Sequence, residues 1–280
     1  MTGLGIDYTS AHWKTCLLEN GLIQDFSTFT DIQSTFSYVN QLCREHPDVL
    51  VAVSSPQEAP FLPLHSGIHE QLAIGNEWSD VQNFLHLINA ASLRGYQLPA
   101  IKYLPEVPRY RRLKYPSLGS AEKLCSVATL LYRMRQQDAL WSEMHFLYLE
   151  IGAVSHSITV IKDGYIVDGI GDVSIGYEEA VDEEDRSLAF WERLVQDLGG
   201  LMALYQLKDI VIKDYHAAAR EQNVIDRLGE SYQFYLFPRV ETEPEGFEGA
   251  IGASILAEGL SGLGRSAEVA TRLLSVVPQL

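Results

Sequence analysis

The stretch GLGIDYTSAHWKTCLLENG, residues 3–21, decides the fold. Residues 3–7 read as an apolar strand that ends on an acid, Asp7. Residues 14–18 read as a second strand, Asn20-Gly21 as a tight hairpin turn, and residues 22–28 as a third strand. The first bend carries two hydroxyls, Thr9 and Ser10, beside the carboxylate. Backbone N–H groups and hydroxyls at a sheet edge suit phosphate oxygens. A carboxylate fits beside them with a bridging Mg2+, with its waters, or with a hydroxyl to be deprotonated. The plain alternative is a turn-forming acid that bonds its neighbouring backbone.

Working outward, the same pattern returns in the second half. HFLYLEIG, HSITVIKDG and YIVDGIG, within residues 145–171, read as strand, strand, turn, strand, and Asp163-Gly164 marks the hairpin. Glu150 ends its strand as Asp7 ends the first, and Gly152 and Ser155 follow it. Between the meanders, Asp31 caps a helix to about His46 with Ile32, Phe36, Val39 and Leu42 inward. DVLVAVSS is a continuous apolar strand covered on both faces. Residues 56–63, with three prolines, read as loop, Ser79 caps a helix to Leu93, and residues 101–104 read as a strand. VPRYRRLKYPSLG is an irregular crossing, and Ser120 caps a helix with Leu124, Val127, Ala128, Leu131 and Met134 on one face. A helix at 186–204, a strand at 209–213, a helix at 215–228, a strand at 232–237 and helices at 246–261 and 265–276 complete the chain. Each half is a meander followed by strand–helix alternation, which implies α/β sheets, an internal repeat and a cleft between the halves.

Composition narrows the function classes. The 280 residues carry 37 acids against 21 bases, a formal charge of −16. Such a chain repels nucleic acid and anionic membranes except through a local basic patch. No apolar run spans a bilayer, and no signal peptide opens the chain. Cys16, Cys43 and Cys125 are far apart and odd in number, which points to free thiols and a cytoplasmic protein.

The sequence resembles the superfamily of acetate and sugar kinases, Hsp70 and actin. GLGIDYTSAHWKTCLLENG resembles its first phosphate hairpin, LYLEIGAVSHSITVIKDG its second, and FEGAIGASILAEGL its adenosine-side helix. GSAEKLC, GYIVDGIG and GAIGASILAEGLSGLG bring it nearest to the uncharacterised predicted butyrate-kinase-like family. The resemblance implies two duplicated ribonuclease-H-like (actin-like ATPase) domains, residues 1–118 and 119–280, the second including an interdomain helix at 120–137. It implies Mg2+ and ATP in the cleft, with Asp7 and Glu150 as the catalytic and metal-side acids. Thr9, Ser10, Gly152 and Ser155 would hold phosphate, and Gly249, Gly252 and Ala253 would leave room for adenosine. Three positions depart from the pattern: Tyr8 stands where a glycine usually follows the acid, the second hairpin has Glu150 and Ala153, and Lys213-Asp214 replaces a small-residue pair.

Arg109, Arg111, Arg112 and Lys114 form the one basic cluster, with Lys123 in the following helix. They read either as a solvated loop or as a grip on a carboxylate or phosphate substrate. Gly249 and Gly252 read equally as close helix packing. Ser54 and Ser55 end a central strand without an acid or histidine nearby in sequence. His65 and His69 have helical metal-pair spacing without further ligands, and the acidic run 177–186 reads as an exposed helix start. Two functions follow. One is an ATP-dependent kinase of a small carboxylate; the other is a non-catalytic binding or scaffold protein, with a homodimer possible in either case.

Overall fold

The computed structural model describes residues 2–9, 12–64, 79–152, 155–174, 183–214, 225–227, 229, 232–262 and 264–275. Ser10, Ala153, His65, His69, residues 177–182 and most of the helix expected at 215–228 lie outside the described residues.

Two compact units emerge. The first combines Met1–Pro105, Ser120–Asp138 and Glu241–Leu280. Its sheet contains β1 (Thr2–Thr9), β2 (His12–Glu19), β3 (Leu22–Phe29), β4 (Leu50–Ser54), β5 (Leu62–Pro63) and β6 (Gly95–Gln97), in the order β3-β2-β1-β4-β6-β5. β1, β2 and β3 form the antiparallel meander, whereas β4 and β6 run parallel to β1. Asn20 and Gly21 both take positive φ, as a two-residue hairpin turn requires. The proline-rich loop adds the short β5, with Pro63 at the sheet's edge, where a missing N–H costs no ladder bond. The strand expected at 101–104 is instead a 3-10 turn, Ile101–Tyr103, and the chain pairs with β4 earlier, at Gly95–Gln97. Pro99 ends that short strand; a Cβ at Gly95 would overlap the Val51 carbonyl, so only glycine allows the close pairing.

Alternation along β1 sorts its side chains between two layers. Leu4 and Ile6 join Val51 and Val53 in a core against α1 (Ile32–Glu45) and α2 (Asp80–Ala90), through Val39, Leu42, Phe84, Leu85 and Ile88. Asp31 accepts the Ser34 N–H at 2.8 Å, and Ser79 and Gln82 close a capping box. Gly3, Gly5 and Asp7 occupy the other face. Cβ atoms on either glycine would overlap the backbone of α6 (Glu248–Leu260), at Ser254 and Ala250. The two glycines therefore let α6 lie directly on the sheet. α4 (Ala121–Gln136) and α7 (Gly264–Leu274) pack around α6. α6 is buried on every side, consistent with its nearly all-apolar sequence.

The second unit combines Glu106–Gly119 and Ala139–Val240. Its sheet contains β7 (Phe146–Ile151), β8 (Ser155–Lys162), β9 (Tyr165–Ser174), β10 (Asp209–Asp214) and β11 (Gln233–Leu236), in the order β11-β10-β7-β8-β9. The meander-then-parallel arrangement repeats that of the first sheet. α5 (Glu183–Tyr205) covers one face through Trp191, Leu194, Leu198, Leu201 and Met202, against Leu147, Leu149, Ile158 and Val160.

These units differ from a division at residue 119. The residues around α4, α6 and α7 join the first sheet because Gly3 and Gly5 admit α6, and because Gly252 presses α6 onto the Cys125 backbone of α4. The expected irregular crossing contains a short helix, α3 (Arg109–Lys114), and stays with the second sheet. There a Cβ at Gly169 would overlap the Leu118 carbonyl, and one at Gly171 the Ser117 side chain. Among the described residues no helix is long and apolar enough to cross a membrane.

Candidate functional site

In the first unit the glycine face of β1 ends at Asp7, which is buried. Thr9 Oγ1 donates to Asp7 Oδ2 at 2.8 Å. The carboxylate rests against the first turn of α6: a Cβ on Gly249 would come 2.5 Å from Asp7 Oδ2. Backbone N–H groups at a helix start favour a negative charge there. Gly249 thus meets the acid that sequence reasoning singled out. Its neighbours are closely packed. A Cβ on Gly252 would overlap the Cys125 carbonyl oxygen, and Ala253 is fully buried against Gly5.

Beside Asp7, β4 contributes Ser54 in direct register, and Ser54 lies next to the Cys125 thiol. Burial pushes that thiol well above its ordinary pKa; the Asp7 charge adds to this, and the Ser54 contact acts against it. Lys14, opposite Asp7 on β2, donates to the Gly246 carbonyl at 2.6 Å. Ser55 Oγ and Gln97 Oε1, just past β4 and at the end of β6, are buried with no hydrogen-bond partner among the described residues. The chain leaves β1 toward β2 and β3, and leaves β4 toward β6. The carboxyl ends of β1 and β4 are therefore a topological switch point, the place where open α/β sheets leave a crevice for ligands. Sequence reasoning noted Ser54 and Ser55 but had no signal for Gln97, whose strand it missed.

Lys123 of α4 is buried, with its ammonium 3.8 Å from the Glu122 carboxylate.

In the second unit Glu150 occupies the position equivalent to Asp7, and the register partner on the adjacent parallel strand is Lys213 rather than a serine. Glu150 is 2% exposed and Lys213 6%. Lys213 Nζ lies 3.3 Å from Glu150 Oε1, and the Tyr148 hydroxyl donates to the same oxygen at 3.0 Å. Where the first unit has Gly3 and Gly5, the second has Phe146 and Tyr148. The Tyr148 and Phe237 rings lie 5.9 Å apart, and Lys213 Nζ sits 5.4 Å from the Phe237 ring centre. The second acid is thus neutralised by an ammonium and fenced by aromatic rings. Gly152 N–H donates to the Ser155 carbonyl at 2.8 Å, so these two residues close the β7–β8 bend on itself.

Arg111 is the largest departure from the basic-cluster expectation. It turns inward, 6% exposed, and its Nε donates to the fully buried Asp168 at 2.8 Å. Burial alone would lower the Arg111 pKa, but the Asp168 contact overrides it and raises the value. Tyr205 Oη and the Gly169 N–H complete the carboxylate's shell, each at 2.8 Å. Arg111 thus ties α3 to β9 within its own unit. Arg112 donates to the Val107 carbonyl at 2.8 Å, whereas Arg109 and Lys114 remain exposed. The readable signal for Asp168 was a lone acid inside the apolar strand YIVDGIG.

A further polar pair, with His156 buried and Asp197 half-buried, escaped sequence reasoning. His156 Nε2 lies 3.1 Å from Asp197 Oδ2, and Arg193 Nε donates to the same oxygen at 2.9 Å. His156 shares the face of Ile158 and Val160, so one polar residue among apolar alternates was the available clue. Burial would raise the Asp197 pKa, but the bonds from His156 and Arg193 hold it below the ordinary 3.8. A depressed carboxylate stabilises the fold at pH above its unfolded value, and that stability is lost as pH falls through the folded value. Denaturant unfolding at stepped pH should therefore show Asp197→Asn flattening the loss of stability below about pH 3.8. An unchanged acid limb in the variant would contradict this role.

Two meander-and-parallel sheets, each with an acid at the end of its first strand, make up an actin-like fold. Solved structures share that fold. Acetate kinase from Entamoeba histolytica superposes with a TM-score of 0.53 at 12% identity, covering 81% of this chain and 86% of that one. A protein of Listeria monocytogenes described as a candidate N-acetylmannosamine kinase gives 0.52 at 13% identity, covering 91% and 97%. A ROK-family transcriptional regulator, described as a homologue of the E. coli MLC protein, gives 0.50 at 10% identity, covering 90% and 77%. No curated protein sequence matches the chain. The chain belongs to the family described as "Protein of unknown function (DUF1464)", which matches residues 39–190, more than half of its length.

Proposed function

We propose that this chain binds a small polar ligand on a kinase fold and does not carry out Mg·ATP-dependent phosphoryl transfer. The supporting observation is the buried Glu150–Lys213 pair. Phosphoryl transfer on such a fold depends on divalent ions that neutralise phosphate charge. At Glu150 an ammonium already supplies the positive charge, and it would repel a second cation at close range. Glu150 Oε1 already holds an ammonium and a phenol, contacts that a directly bound Mg2+ would have to displace. The Lys213 contact is what argues against Mg2+ at this acid. The fold alone does not demand catalysis, since a transcriptional regulator shares it.

The ligand side of the proposal rests on the first unit's switch point. Buried polar atoms are nearly always hydrogen-bonded, to protein, water or ligand. Ser55 Oγ and Gln97 Oε1 offer a hydroxyl donor or acceptor and an amide acceptor to a ligand bearing hydroxyl or carboxyl groups. The kinase reading keeps one specific support, the Asp7 carboxylate fixed by Thr9 and the start of α6.

Thermal unfolding against short hydroxy acids and monosaccharides in chelator, and against nucleotide with and without Mg2+, separates the two. Ligand at about 100 times its Kd should stabilise by ~2.7 kcal/mol, and Ser55→Ala should abolish the shift. Stabilisation that requires nucleotide and Mg2+ together would overturn the proposal in favour of the kinase.

A further inference from the structure

α3 buries one of its four cations and exposes its apolar residues. Arg111 is 6% exposed, while Tyr110 and Leu113 are 60% and 77% exposed. Scattered exposed leucines are ordinary. Here the apolar residues lie three apart on one helix face, with Arg109 and Lys114 exposed one turn away from each. Arg109 has no ion-pair partner among the described residues, and the Lys114 ammonium rests 5.3 Å from the Tyr115 ring centre.

The face is held rigidly. Arg111 pins the helix from below through Asp168, and its guanidinium stacks 4.0 Å from the Tyr115 ring centre. Gly169 and Gly171 let the segment after α3 sit on β9 without a gap. A rigid helix with two apolar anchors and flanking cations has little ordering entropy to lose on binding.

We infer that α3 is a docking surface for an acidic protein segment with interspersed apolar residues. The inference is independent of the ligand site proposed above. Charge complementarity selects the partner: this is the one basic cluster of a chain with net charge −16. Attraction to it is local, within a Debye length of ~8 Å at physiological salt. A short acidic segment stays inside that range. A charged bilayer face or a long nucleic acid extends beyond it and meets the chain's overall repulsion. The most exposed residue of the face is also apolar, and Leu113 has no use against phosphates.

Fluorescence anisotropy with the full chain tests this. The probe is a labelled 12-residue peptide alternating glutamates with leucine or phenylalanine; the comparison probes are an all-polar peptide of equal charge, phosphatidylserine vesicles and a single-stranded oligonucleotide. The acidic-apolar peptide should bind, and Leu113→Asp and the pair Arg109→Glu/Lys114→Glu should each weaken it at least about tenfold, a loss of 1.4 kcal/mol or more. Raising salt from about 0.05 to 0.5 M should weaken it as well. Unchanged melting temperatures in the variants establish that the surface alone was altered. Absence of peptide binding, indifference to the substitutions, or preference for vesicles or oligonucleotide would overturn the inference. So would self-association of the wild type that Leu113→Asp abolishes, since a second copy would then be the occupant.

Discussion

Lys213→Met should destabilise the protein by about 3–5 kcal/mol, because it strands the buried Glu150 carboxylate without its counter-charge. The loss is read from denaturant unfolding. The double variant Lys213→Met/Glu150→Gln should recover more than half of it. Glutamine keeps an acceptor for the Tyr148 hydroxyl, which donates to Glu150 at 3.0 Å, and removes the charge. Replacing a buried pair is far cheaper than breaking it. A catalytic or metal-binding Glu150 predicts another pattern: little stability change in Lys213→Met, and a carboxylate released toward cations. If the double variant is as unstable as the single one, the pair is not the unit described here.

Gly252→Ala is expected to be the second most damaging single change. Its Cβ would overlap the Cys125 carbonyl oxygen, and both lie in helices packed on all sides. Neither neighbour is the free end of a flexible side chain, so α4 and α6 must separate. Overpacking of this kind costs about 1–3 kcal/mol, occasionally more. The measurement is the shift in unfolding midpoint relative to Ser261→Ala, placed just beyond the end of α6. Had Gly252 made space for a nucleotide base, the variant would keep its stability and lose affinity only. Intact stability would return Gly252 to that ligand role.

Much of this fold was legible because its signals are local. Asn20-Gly21 and Asp163-Gly164 both adopt the positive φ that their sequence announces. Asp31 and Ser79 cap the helices expected of them. The duplicated meanders could be read because apolar strands and turns recur in the same order. The strand at 95–97 was missed because it is three residues long and begins with glycine, so it carries no alternation to read. α3 was missed because its apolar residues Tyr110 and Leu113 face outward and Arg111 inward, against the usual amphipathic pattern.

The site was less legible than the fold. Asp7 and Glu150 were found because acids that end apolar strands stand out in a sequence. Their partners were not, since strand register joins residues far apart in the chain. Lys213 was visible as a departure from a small-residue pattern, but only pairing of β10 with β7 sets it against Glu150. Nothing local announces Asp168, 57 residues away, as the partner of Arg111. The assignment of helices to units was hidden for the same reason. Gly3 and Gly5 reveal their purpose only when α6, some 250 residues later, lies against them.

On the proposed reading, Lys213 stands in for the divalent cation at Glu150. Isothermal titration of Mg·ATP into the intact chain, with ATP in chelator as the reference, tests it most directly. The account predicts no Mg2+-dependent heat at millimolar nucleotide. Saturable binding that requires Mg2+ and disappears in Glu150→Gln would contradict it.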